Sequence, residues 1–103
     1  MISQAKQKGI RVSAGVTPHH LFLTNKNIAT VKPALATEID QAALWDGIHD
    51  GTIDLLETDH APHTREDKAQ GAFGVPGLET ALGLMGVALH HSRITLDTLI
   101  KLM

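Results

Sequence analysis

The chain contains no cysteine, so no disulfide framework holds it together. A reducing, cytoplasmic setting is the expectation. Positive charge is also scarce: nine Lys and Arg stand against eleven Asp and Glu, for a formal net charge of −2. Without a basic cluster, nucleic acid and anionic membrane surfaces are excluded as expected partners. No apolar run approaches the roughly 18–20 residues of a membrane span. The start, Met1 to Lys8, lacks the apolar stretch of a secretory signal. What remains is the composition of a globular protein, 43% apolar and 19% charged over 103 residues, enough for one modest core.

Histidine, by contrast, is plentiful, with seven residues. His49, His90 and His91 fall near the ends of expected helices, where imidazole complements the helix dipole, so a structural role is the simpler reading. His19, His20, His60 and His63 lie instead beside prolines and acidic residues.

Residues 2–8 read as the last turns of a helix closed by Gly9. Residues 10–16 alternate apolar and polar side chains, a strand signal that stops at Thr17-Pro18. A loop carrying His19 to Leu23 and a polar stretch through Thr30 are expected next, and Pro33 biases Lys32 towards extended backbone. Thr37, with Asp40 three residues on, predicts a capped helix running to about His49. Ala42, Leu44, Trp45 and Ile48 would lie largely on one side. Ile53 to Leu56 predicts a second strand, and polar, glycine-rich residues 64–77 a long mobile loop. The segment 78–91 predicts a helix apolar almost all round, hence largely buried. Thr95 is the expected cap of a last helix. Strands alternating with helices imply βα units and a parallel sheet. Two strands do not make a stable parallel sheet covered on both faces, so residues 1–103 are expected to be a single partial domain of a larger α/β fold.

Both histidine-rich motifs follow the C-terminal end of a predicted strand, which in a (β/α)8 barrel is the catalytic face. A carboxylate at Asp59, emerging from its strand, is placed to reach a metal in the barrel mouth, and Pro62 fixes a turn that points His63 back over the same site.

These motifs carry a resemblance. Thr58-Asp59-His60-Ala61-Pro62-His63, with Lys68 beyond, is similar to a dihydroorotase signature. Thr17-Pro18-His19-His20-Leu21 resembles the motif after that family's preceding strand, and Val75-Pro76-Gly77-Leu78-Glu79-Thr80 resembles the run that begins its next helix. The resemblance implies the C-terminal portion of a metal-dependent (β/α)8 barrel, about two βα units and a following helix. The activity it implies is the reversible cyclisation of N-carbamoyl-L-aspartate to dihydroorotate in pyrimidine synthesis. Zinc, normally two ions, is the implied cofactor, activating a hydroxide near neutral pH. By the same resemblance Asp59 binds one metal and shuttles the proton. His63 and Lys32 hold the substrate carboxylate, although lysine lacks the bidentate fork of arginine. The backbone at Pro76 and Gly77 touches the ring. His20 is a metal ligand in some relatives, His19 supports the loop, and His60 stands behind the site. Implied partners are the small-molecule substrate, aspartate transcarbamoylase and, for the complete enzyme, further copies of itself.

Two positions depart from the family pattern. Glu57 stands where relatives carry Gly or Ala, and Gly15 where many carry Glu. The family's His-x-His motif, bridging lysine and two further histidines are not in this chain. One aspartate does not hold a catalytic zinc, which normally takes three protein ligands, and a barrel needs about 250 residues. These residues alone are therefore expected not to catalyse the reaction. Related cyclic amidohydrolases (allantoinase or dihydropyrimidinase) and a non-catalytic dihydroorotase-like scaffold of aspartate transcarbamoylase are the alternatives.

Overall fold

A computed structural model describes residues 1–27 and 30–103. The element order is α1 (Ile2–Gln7), β1 (Gly15–Val16), α2 (Pro18–Phe22), α3 (Glu38–His49), β2 (Leu55–Leu56), α4 (Arg65–Ala69), α5 (Leu78–His90) and α6 (Leu96–Leu102). Strands β1 and β2 are parallel neighbours, with Gly15 opposite Leu55 and Val16 opposite Leu56. The α/β order read from the sequence is present.

Capping chemistry explains most helix starts. Thr37 accepts from the Asp40 backbone N–H while the Asp40 carboxylate accepts from that of Thr37, so two orphan donors are satisfied reciprocally. Thr95 caps α6 through Thr98. Gly9, at φ +72°, closes the turn after α1.

Several expectations need correction. The loop expected at His19 to Leu23 is helix α2 through Phe22: Thr17 is its N-cap and Pro18 opens it, where a missing N–H costs nothing. The long mobile loop expected over 64–77 contains helix α4, started by a second capping box, Thr64 with Asp67. The strand expected over residues 10–16 shortens to Gly15–Val16, and that over Ile53 to Leu56 shortens to its last two residues. Each strand pairs on one edge only within the described residues, and alternation alone does not supply a ladder. In α3, Trp45 and Ile48 are buried but Ala42 is exposed; Gln41 turns inward instead and donates to the Leu23 carbonyl at 3.2 Å. The polar stretch expected through Thr30 includes Ile28 and Ala29, which lie outside the described residues.

The core gathers Val16, Leu21, Trp45, Ile48, Met85 and Leu99, with Leu21 and Met85 fully buried. Trp45 donates its indole N–H to the Leu21 carbonyl at 3.1 Å and meets Phe22 edge-on, with ring centroids 5.7 Å apart. Helix α5 was expected to be largely buried. It buries Ala81, Met85 and Ala88 but leaves Leu78 and Leu82 63% and 65% exposed. No described element covers that face, and α6 also leaves Leu96 and Ile100 exposed. Among the described residues no helix is long and apolar enough to cross a membrane.

Candidate active site

The parallel register brings the two sequence motifs to one end of the sheet. The Glu57 N–H donates to the Val16 carbonyl at 3.0 Å, so Thr17 to His20 and Glu57 to Asp59 leave their strands side by side. Between them opens a cavity of about 410 Å³, with Gly15, Thr17, His20, Lys32, Glu57 and Asp59 in its wall.

Asp59 sits at φ +46°, a left-handed conformation that aspartate tolerates better than most residues and that recurs at functional sites. The strand of chain after it is fastened to the start of α5. His60 bridges Val75 in parallel, the Ala61 N–H donates to the Val75 carbonyl at 3.0 Å, and His60 Nδ1 accepts from the Leu78 N–H at 3.1 Å. His60 thus supplies the acceptor that the first turn of α5 otherwise lacks. A side chain on Gly77 would overlap the Thr58 carbonyl oxygen, so only glycine permits that contact.

His20 Nε2 lies 3.0 Å from the Pro33 carbonyl oxygen and must donate to it. Its Nδ1, 2.7 Å from Thr17 Oγ1, then accepts from that hydroxyl in the neutral imidazole. Both nitrogens are engaged, so His20 binds a metal only by giving up its contact to Thr17 or the one to Pro33. His19 is buried, with neither ring nitrogen hydrogen-bonded among the described residues. Its ring packs against that of His20 at 4.5 Å. Burial, and to a lesser degree His20, push its pKa below the ordinary value, with Asp59 opposing.

Lys32 holds its ammonium 4.0 Å above the Phe73 ring, a cation–π contact. The loop bearing Phe73 is tied down by Lys68, whose ammonium donates to the carbonyls of Thr30, Ala72 and Gly74. This clamp was not read from the sequence, although Lys68 closes the signature motif. His63 does not line the cavity of Asp59. It is exposed in a separate shallow pocket with Asp67 and Gln70. Pro76 and Gly77 also lie outside the cavity wall, joined to it through Thr58. Of the residues expected at the site, the fold brings Asp59, Lys32 and His20 together and leaves His63, Pro76 and Gly77 on the flank.

The histidines near helix ends behave structurally. His49 Nε2 donates to the Arg93 carbonyl at 2.9 Å, and His90 and His91 finish α5. Among the described residues no group of three His, Asp or Glu side chains is close enough to hold a metal ion. The residues present do not by themselves form a metal site.

No protein-family model matches the chain. Individual relatives do. The chain is 50% identical over 95 residues to the dihydroorotase of Anoxybacillus flavithermus, covering 82% of this chain and 22% of that protein. It is 47% identical to the dihydroorotase of Bacillus cereus, over 98% of this chain and 26% of that one. The chain is a dihydroorotase homologue. This homologue spans about a quarter of the length of the dihydroorotases it matches. It also aligns in full, at 46% identity, with 5% of the multifunctional protein pyr1-3 of Dictyostelium discoideum. Among solved structures, L-hydantoinase (dihydropyrimidinase) from Arthrobacter aurescens superposes with a TM-score of 0.91 at 29% identity, over 99% of this chain and 26% of that one. The inactive dihydroorotase-like domain of a Chaetomium thermophilum CAD-like multifunctional protein superposes at 0.74 with 30% identity, over 98% of this chain and 29% of that one.

Proposed function

We propose that this chain is the C-terminal portion of a dihydroorotase barrel, contributing one side of the active site. The observation that carries the reading is the meeting of Asp59, Lys32 and His20 in one cavity, where two adjacent parallel strands end. The reaction closes N-carbamoyl-L-aspartate, a dianion, with one proton to give the dihydroorotate monoanion and water. Asp59 holds and returns that proton between the water oxygen and the ring nitrogen. Lys32, steadied on Phe73, pairs with the substrate carboxylate that survives ring closure. His63 and the Pro76–Gly77 backbone complete the grip from the flanking loop, His63 turning inward from its side pocket to do so. Zinc is the proposed metal, with Asp59 as this chain's donor and the remaining ligands outside it. His20 joins them only by giving up its contact to Thr17 or to Pro33.

The intact protein carrying this segment tests the reading. Asp59→Asn should abolish turnover in both directions while leaving the melting profile unchanged, and Lys32→Ala should raise KM for both substrates. Full activity in Asp59→Asn would sink the assignment. The match to an inactive dihydroorotase-like domain supports a second reading, a non-catalytic subunit. A wild-type protein that binds aspartate transcarbamoylase without turning over either compound decides for that one. Self-association of the intact protein belongs to both readings.

A further inference from the structure

Glu57 is the one charged residue of the cavity wall without a place in the reaction just described. Its backbone is fixed at the end of β2 by the hydrogen bond to Val16, and its side chain lies back across β1. A Cβ built on Gly15 would stand 2.6 Å from Glu57 Oε1 and 2.9 Å from its Cδ. The carboxylate therefore occupies the volume that any side chain at position 15 would need. The two ion pairs among the described residues, Lys6–Asp54 and Lys26–Glu38, leave it out. The cavity wall then carries two carboxylates, Glu57 and Asp59, against the single ammonium of Lys32.

We propose that Glu57 is a specificity-determining residue, whose fixed negative charge disfavours the open dianionic substrate relative to the ring monoanion. The proposal rests on the dihydroorotase reading and deepens it. Ring closure turns one carboxylate into an amide, so the open form carries one negative charge more into a wall that already holds Glu57. Coulomb repulsion falls on both forms but more heavily on the dianion. Gly15 sets where that charge sits, because it leaves the carboxylate room to lie over the strand.

The test measures KM in both directions for the intact wild-type protein and for Glu57→Gln, Gly15→Ala and the double variant. Removing the charge should lower KM for N-carbamoyl-L-aspartate about three- to tenfold, and that for dihydroorotate less. The equilibrium constant is fixed by the solution chemistry, so the two kcat values must compensate. Gly15→Ala meets only the ends of the Glu57 and Leu55 side chains, which can move, so it should fold and displace the carboxylate. It should shift the KM ratio in the same direction, and the double variant should go no further than Glu57→Gln alone. Added salt should draw the wild-type ratio towards that of Glu57→Gln. A KM ratio unchanged in Glu57→Gln, or effects of the two substitutions that simply add, overturns the role. A wild-type protein that turns over neither compound overturns the dihydroorotase reading itself, and this role of Glu57 with it.

Discussion

Alanine substitution at two glycines separated by six residues should move stability in opposite directions. Gly77 precedes α5 at φ −95° and ψ −23°, a conformation open to alanine. On backbone entropy alone Gly77→Ala should gain about 0.4–1 kcal/mol. The new methyl group, however, would overlap the Thr58 carbonyl oxygen. A backbone oxygen one residue from Asp59 and two from the His60–Val75 bridge does not swing aside as a side-chain tip does. Overpacking of this kind typically costs about 1–3 kcal/mol. Gly83 is exposed in the interior of α5, and a Cβ there meets nothing within 4 Å. Gly83→Ala should therefore stabilise the helix by about 0.5–1 kcal/mol. With the entropic gain set against the overpacking cost, the two variants should differ by roughly 0.5–3.5 kcal/mol, which urea unfolding measures. Trp45 is the only tryptophan of the 103 residues and is 3% exposed in the core that α5 helps to close, so its fluorescence reports the transition. A Gly77→Ala midpoint equal to or above wild type would refute the close-approach argument.

Stability should also fall as the medium becomes acidic. His19 has its folded pKa lowered from 6.5, first by burial, so the unfolded chain binds a proton more readily. The contribution is fully present above about pH 6.5 and is lost as pH falls from there through the lowered folded value. His19→Leu should flatten the urea midpoint between pH 7.5 and 5.5, and an unaltered slope would remove His19 as the cause. Thr64→Ala deletes one half of the second capping box, and amide exchange across Arg65–Ala69 should accelerate while that across α3 stays as it was. The 103-residue chain alone, lacking a three-donor metal group among its described residues, should show no turnover of dihydroorotate. It should bind a hydrophobic dye through the exposed Leu78, Leu82, Leu96 and Ile100 surface. Measurable turnover by the chain on its own would contradict the site as described.

Local hydrogen-bond chemistry is what this sequence states most openly. Thr37 with Asp40, Thr95 before its helix, and Gly9 after α1 each solve a helix-end problem within four residues, so their elements are legible from a single stretch of chain. The same chemistry starts helices at Thr17-Pro18 and at Thr64 with Asp67, where neighbouring histidines and glycines point instead to loops. The motif around Asp59 and its position after a strand were likewise readable in the order of residues. Strand length was not, because a ladder exists only where a second strand pairs with it, and the alternation at residues 10–13 finds no strand partner among the described residues.

Nor could the sequence say which site residues share a cavity. Asp59 and His63 are four residues apart yet face different pockets, since the chain between them turns to clasp Val75. Gly15 and Glu57 are far apart in the chain, and each alone reads only as a departure from the family pattern. The parallel register, Gly15 opposite Leu55, sets them in contact. Sequence by itself determined the helix ends, the βα order and the chemical types at the strand ends. Tertiary structure decided which of those groups meet, because the strand register is settled by the packing of residues that chain order holds apart.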